Sequence, residues 1–311
     1  MNNLNFFSKY SSDQDMRERL YPLFDAVFGI PVDVLRDFYA RGFWNPSYQP
    51  YTLFDGERAV ANASMFDMPL VINGTQIHAA GIQSVMTHPE YRGLGLMKQV
   101  FGKMLEEIDE QYEITILMTE NPALYTPYGF RTVQEHYFTA AAPDEASVEA
   151  AVQEHRSLLH NGLSTNQYAR KLEFFEQNDL RIVRECFDGH QPLSKRFAPV
   201  SHQPSFALNM YNPYYQAKLY FSEDYNSLLI FDVDGDTLRL FDVIGRKLPA
   251  IEQICSQIEE PFSQIQFYFE PDALGVRAYE TVPYESGSHL MVRGRFDVEG
   301  QPFKLPITAA F

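Results

Sequence analysis

The chain has 311 residues, enough for two compact domains, and its 45% hydrophobic and 21% charged residues give a balance that can fill a core. Asp and Glu number 41 against 25 Lys and Arg, a formal charge of −16. A field of that sign repels phosphate backbones and anionic lipid, so neither nucleic acid nor a membrane surface is expected as a partner, while cationic small molecules such as amines are drawn in.

In chain order, residues 13–28 place Met16, Leu20, Leu23, Phe24, Val27 and Phe28 on one helical face, and Gly29 and Pro31 stop that helix before a second begins near Val32. Strand-like runs follow at 51–54, 59–68 and 70–72. Asn73-Gly74 marks a tight hairpin, with a return strand over 76–87. A glycine-bearing loop, 88–95, opens onto a helix whose stripe is Met97, Val100, Phe101, Met104, Leu105 and Ile108. Residues 112–118 (YEITILM) read as a buried strand, 122–128 as a short helix or turn, and 131–138 as a final strand.

From about 140 to 180 Ala, Glu and Gln dominate, which favours helix. Strand signals return from Phe206, and they echo the first half. The Asp234-Gly235 turn in IFDVDGDTLRLFDV parallels Asn73-Gly74. The run Phe269-Glu270-Pro271-Asp272-Ala273-Leu274 parallels Thr119-Glu120-Asn121-Pro122-Ala123-Leu124. Between these landmarks the second copy is shorter where the glycine loop would lie. The expected organisation is a domain at 1–140, a helical connection at 141–205, and a degenerate copy without a phosphate loop at 206–311.

The chemistry centres on the passage from strand through Arg92-Gly93-Leu94-Gly95-Leu96 into a helix. Glycines at 93 and 95 allow close backbone approach, and a helix start supplies N–H groups and positive potential, a combination suited to a diphosphate. Arg92 and Lys98 can add charge at its rim. This run resembles the central motif of the GCN5-related N-acetyltransferase (GNAT) superfamily, departing from it at Met97, where the family has a small residue. Val85-Met86-Thr87-His88-Pro89-Glu90-Tyr91 is similar to the family's preceding strand and loop. A second stretch, Asn121 to Phe130 (NPALYTPYGF), resembles the family's downstream Asn, short helix, aromatic and Gly-Phe ending. The resemblance covers roughly residues 1–140.

What the resemblance implies is an α/β (α+β) protein: a mixed central sheet flanked by helices, the GNAT fold, present twice. It implies acetyl-CoA as co-substrate, with the backbone of Val85, Met86 and Thr87 on the pantetheine arm. Arg92, Gly93, Leu94, Gly95, Leu96, Met97 and Lys98 would surround the pyrophosphate, and Asn121 joins the cofactor-binding set. Tyr125 occupies the position that places a phenol beside the sulfur, as general acid; Tyr128 aligns with a packing position. Many relatives carry a strand glutamate where Gln83 stands here, so Glu120 is the candidate base, direct or through water, and His88 is read as structural.

The implied activity is acetyl transfer to a primary amine of a small, cationic acceptor by direct attack in a ternary complex. A non-catalytic acyl-CoA-binding sensor or interaction module is the alternative. The enhanced-intracellular-survival acetyltransferases also join an active domain to a degenerate copy and bring a C-terminal carboxylate to the site. Whether Phe311 does so is left open.

Cys186 and Cys255 have no CxxC or CxxH spacing and no histidines show ligand spacing, so neither a disulfide framework nor a metal is expected. The Asp232, Asp234 and Asp236 triplet is better explained as a hairpin than as a calcium loop. With no secretion signal or long apolar run, a cytoplasmic location is expected.

Overall fold

The computed structural model describes residues 4–158 and 168–311, so the part of the expected 141–205 connection at 159–167 lies outside the described residues. The first half runs β1 (Leu4–Ser8), α1 (Gln14–Phe28), α2 (Val32–Ala40), β2 (Gln49–Asp55), β3 (Arg58–Asp67), β4 (Leu70–Ile72), β5 (Thr75–Ile77) and β6 (Ala79–Thr87). It continues through α3 (Leu96–Gln111), β7 (Ile114–Thr119), β8 (Arg131–Thr132) and β9 (His136–Ala141). The second half has α4 (Glu145–Leu158), β10 (Arg170–Lys171), α5 (Gln177–Phe187), β11 (Phe197–Pro199), α6 (Gln203–Asn209) and α7 (Pro213–Gln216). Then come β12 (Leu219–Ser222), β13 (Ser227–Asp234), β14 (Thr237–Ile244), α8 (Ile251–Cys255), β15 (Gln264–Phe267), β16 (Glu280–Pro283) and β17 (His289–Gly294).

Local chemistry explains the helices flanking the first sheet. Asp13 caps α1 by accepting from the Met16 N–H at 3.1 Å, and Gly29 ends it in the left-handed region at φ 67°. α3 buries Val100, Phe101, Met104 and Ile108 against Tyr51 and Leu53, while α1 buries Leu20 and Phe24 against Phe54 and Ala59. Alternate strand residues point to opposite faces, so the two helices cover the two sides of one sheet.

Two seven-stranded mixed sheets carry the architecture, in the orders β1-β2-β3-β6-β7-β17-β8 and β10-β12-β13-β14-β15-β9-β16. They repeat one plan. In each, two antiparallel steps (β2-β3-β6; β12-β13-β14) lead to one parallel pair (β6-β7; β14-β15), then to an antiparallel neighbour. That neighbour comes from the other half of the chain: β17 lies between β7 and β8, and β9 lies between β15 and β16. The expected boundary between 140 and 206 is therefore crossed by a reciprocal exchange of strands.

Three expectations change in the structure. The final strand expected over 131–138 is two strands, β8 and β9, in different sheets. The return strand expected over 76–87 breaks at His78 into β5 and β6, because Asn73-Gly74 turns a side hairpin that pairs with β11 rather than with the main sheet. An edge strand, β1, precedes the first helix.

The second sheet lacks the glycine loop, and its parallel pair is closed by the chain itself. β14 and β15 pair only over Thr237–Leu240 and Gln264–Phe267, after which Phe241 forms a bulge against β13. Just beyond, buried Asp242 accepts from Thr308 of the C-terminal turn and lies 2.9 Å from His202 Nε2. Of the Asp triplet, Asp232 and Asp234 pair with Arg239 at 2.6 and 3.0 Å.

Candidate active site

In the first sheet the corresponding opening is left unfilled by backbone. β6 and β7 pair in parallel only from Ala79 to Ile82 and from Ile114 to Leu117. β6 then runs on to Thr87 and β7 to Thr119, so the strands part as a wedge. A bulge causes the divergence: Asn62 faces Met86 while Ser64 faces Gln83, leaving Ser84 and Val85 opposite Ala63 alone, with Ser84 at φ 55°. The bulge is pinned by buried polar groups. Asn62 Nδ2 donates to the Ser84 carbonyl at 2.8 Å and to Ser64 Oγ at 2.9 Å, and Ser64 Oγ donates to Tyr48 Oη at 2.7 Å. Beyond Ile82, the β6 edge that faces β7 is free of ladder bonds, and Val85, Met86 and Thr87 lie on it.

The glycine bend follows directly. His88 Nδ1 accepts from the Glu90 N–H at 3.2 Å, which makes it a cap of the short 3-10 turn Pro89–Tyr91. Gly93 and Gly95 adopt φ 79° and 72°, and a Cβ at either would meet no protein atom within 4 Å. Their need for glycine is conformational, and the space above them is open to a ligand. No side chain caps α3 and no acidic residue stands in its first turn, so its N–H groups and positive end face outward. Arg92 and Lys98 are exposed and carry no carboxylate partner among the described residues; Leu94 is exposed, while Leu96 and Met97 pack into the core beneath. These features fit a diphosphate with its attached arm entering the wedge.

A cleft of about 930 Å³ opens at the wedge. Val85, Glu120, Asn121 and Tyr125 line it together, along with Gln83. Tyr125 is 7% exposed, its ring against Phe101 at 5.6 Å and Phe130 at 6.3 Å. Burial pushes its phenol up to about 12, with Thr119 acting in the opposite sense. Glu120 is exposed at the end of β7 and forms no ion pair among the described residues. Asn121 donates its backbone N–H to Thr119 Oγ1 at 3.0 Å, and its side chain is exposed. Tyr128 packs on Phe101 at 4.7 Å.

The amino-acid sequence of residues 10–133 matches the family model of the acetyltransferase (GNAT) domain. Residues 10–133 are thus similar to a GNAT acetyltransferase domain. The chain is 27% identical over 88 residues to the uncharacterized N-acetyltransferase YhbS of Escherichia coli K12, a match spanning 28% of this chain and 51% of YhbS. The chain thus spans about half the length of the curated relatives it matches.

The fold likeness extends past residues 10–133. A conserved protein of Enterococcus faecalis V583 superposes with a TM-score of 0.54 at 13% identity, covering 93% of this chain and 72% of that one. Eis1 of Mycobacterium abscessus gives 0.51 at 11% identity, covering 93% and 73%. Both likenesses include the second sheet, so the two-sheet architecture is shared.

The far wall of the cleft was not legible from the GNAT motifs. Phe24 and Phe28 of α1, Trp44 and Tyr48 of the following loop, and Leu208 of α6 line it. Tyr284, Lys304 and Phe311 from the end of the chain complete it, the Phe311 ring standing edge-on to Phe66 at 4.9 Å. The one available signal was the aromatic run Phe43-Trp44-Asn45-Pro46-Ser47-Tyr48, which belongs to no strand or helix.

Proposed function

We propose that the chain moves an acetyl group from acetyl-CoA to the primary amine of a small acceptor, by direct attack while both are bound. The observation that carries this reading is that one cleft is lined at once by the free edge of β6, by Tyr125 and by Glu120. The likeness of residues 10–133 to a GNAT domain supplies the family's precedent. The residues of the wedge and bend fit the co-substrate: Val85, Met86 and Thr87 offer backbone groups to the pantetheine arm. Arg92, Gly93, Leu94, Gly95, Leu96, Met97 and Lys98 surround the diphosphate, with Asn121 at the mouth.

The chemistry requires a neutral amine, a stabilised oxyanion and a partner for the departing thiolate. Glu120, directly or through one water, takes the proton that the acceptor ammonium must lose. The amine nitrogen then bonds the acetyl carbon, the carbon–sulfur bond breaks, and the extra proton now on nitrogen leaves to solvent, which restores the one that Tyr125 gives to sulfur. The Tyr125 phenol, kept protonated by burial, donates a hydrogen bond to the sulfur as negative charge builds there and is the proton source for it. Gln83 stands where a strand carboxylate would serve as base, and this observation favours the second reading, an acyl-CoA-binding sensor without turnover. A thiol-release assay with acetyl-CoA and a panel of amines separates the two: release with at least one amine supports transfer, and tight co-substrate binding without release supports the sensor.

A further inference from the structure

We infer that the Tyr48 hydroxyl donates a hydrogen bond to the thioester carbonyl oxygen of bound acetyl-CoA, and that Asn62 is the positioning residue that turns its proton toward the cleft. The inference rests on the acetyl-transfer reading and names an oxyanion donor that this chemistry requires.

A line of buried polar groups crosses the first sheet from β2 to β6. Tyr10 Oη lies 2.5 Å from Thr52 Oγ1, and Thr52 Oγ1 donates to Asn62 Oδ1 at 2.6 Å. Asn62 Nδ2 donates to the Ser84 carbonyl and to Ser64 Oγ, and Ser64 Oγ donates to Tyr48 Oη at 2.7 Å. Thr52, Asn62 and Ser64 are fully buried and Tyr48 almost so.

The line has a direction, fixed by one group that cannot donate. The Ser84 carbonyl only accepts, so the Asn62 amide turns its nitrogen there and its oxygen to Thr52. Ser64 Oγ receives the second Nδ2 hydrogen and passes its own proton to Tyr48. The Ser84 side chain also acts on Tyr48 Oη as a donor does, against the larger effect of burial, which raises the phenol above its ordinary value. The Tyr48 oxygen is thus filled as an acceptor and keeps its proton at neutral pH. No bond places that proton on a protein acceptor among the described residues. A buried O–H is ordinarily paired, and Tyr48 and Ser84 both line the cleft.

Position along β6 selects the ligand atom. On the transfer reading the diphosphate lies at the bend and the arm runs back along Thr87, Met86 and Val85. Its thioester end is then at Ser84, in the bulge where β6 and β7 part. When the amine adds to the acetyl carbon, negative charge builds on the carbonyl oxygen. A fixed O–H donor stabilises that charge without giving up its proton, and the donors aligned behind Tyr48 strengthen it.

The test follows the carbonyl stretching band of acetyl-CoA, isotope-labelled at the thioester carbonyl, by difference infrared spectroscopy on the full chain without amine. A hydrogen bond lowers that frequency. The band is expected to fall when wild type binds and to return toward its free position in Tyr48→Phe. The same variant is expected to bind coenzyme A, which lacks the carbonyl, as wild type does, and to lower kcat about 100-fold with an amine that wild type acetylates. Asn62→Asp replaces the two amide donors by a carboxylate that only accepts. Ser64 then donates to it and accepts from Tyr48, which draws the proton away from the cleft, so the band is expected to match that of Tyr48→Phe. A wild-type band in Asn62→Asp removes the positioning role from Asn62. A band unmoved by Tyr48→Phe overturns the inference, as does an equal loss of coenzyme A affinity and kcat, the mark of a packing role. If no amine releases thiol but the band still depends on Tyr48, the transfer reading fails while the carbonyl donor stands.

Discussion

Arg293 of β17 donates through Nε to the main-chain carbonyl of Tyr128 at 2.9 Å, while its other guanidinium nitrogens pair with Asp109 of α3. A residue from the end of the chain thus fixes the turn that carries Tyr125, three residues earlier in sequence. Arg293→Ala is expected to cost about 1 kcal/mol of stability, because the ion pair is half exposed, and to lower kcat by about tenfold through misplacement of Tyr125. Arg293→Lys keeps the charge but cannot supply both the Nε bond and the two-nitrogen contact, so it is expected to restore stability more than kcat. Chemical denaturation and steady-state rates measured on both variants check this.

Tyr125→Phe keeps the ring packed on Phe101 and Phe130 and removes only the hydroxyl. The expected outcome is a fall in kcat of about 100-fold or more with little change in the KM for acetyl-CoA. The wild-type phenol is pushed up to about 12 by burial, so it remains protonated through neutral pH. No loss of rate attributable to its ionisation is expected between pH 7 and pH 9 (about two units spanning the ordinary assay range). A basic limb in that range that disappears in Tyr125→Phe would contradict the role given to this group.

Gly95→Ala separates binding from folding. The added methyl meets no protein atom within 4 Å, so the cost to stability is limited to the left-handed backbone, about 1 kcal/mol. On the proposed reading it stands where the diphosphate would approach. Calorimetric titration with coenzyme A is expected to show affinity at least about tenfold weaker than wild type. A similar loss for Tyr125→Phe in the same titration would show that the two sites are not distinct in function.

His190 sets an acid limit on stability. Burial holds its pKa below the ordinary 6.5, a cost that its bond to the Phe187 carbonyl offsets in part and that nearby His202 adds to. Its Nε2 is buried without a partner, and Nδ1 lies 2.7 Å from the Phe187 carbonyl. The unfolded chain therefore binds a proton that the folded one refuses, and stability falls as pH drops below about 6.5 toward the folded value. Asp37, Asp109 and Glu299 are held below their ordinary values, chiefly by hydrogen bonds from Arg41, Arg293 and Arg131 respectively. Their contribution is present above about pH 4 and is lost as pH falls through the lowered values. Urea denaturation at pH 5, 6 and 7.5 (about the window between these limits) checks the first part, with His190→Gln expected to flatten the slope between them.

The GNAT-like motifs were legible because their physics is local. Gly93 and Gly95 each take a conformation that only glycine adopts easily, and the α3 stripe from Val100 to Ile108 announces a half-buried helix within a few residues. The repeated plan is present, but the paired turns are not equivalent within it: Asp234-Gly235 joins two strands of the second main sheet, whereas Asn73-Gly74 turns the side hairpin of β4 and β5. What stayed hidden depends on partners far along the chain. Nothing in HYFTAA or HLMVRG tells which sheet each will join, since each is a six-residue run with apolar residues at its centre that could complete either sheet. β1, with three of its five residues exposed, lacks the apolar pattern that marks a buried strand. Among the cleft residues, Trp44, Leu208 and Tyr284 come together only through that long-range assembly.

The traded strands also bear on how this molecule can change over generations. A duplicated gene ordinarily frees one copy to decay or be deleted. Here each half supplies a strand to the sheet of the other, so deletion of the second half would leave β7 without its neighbour β17. A change that unsettles either half is therefore expected to be felt by both.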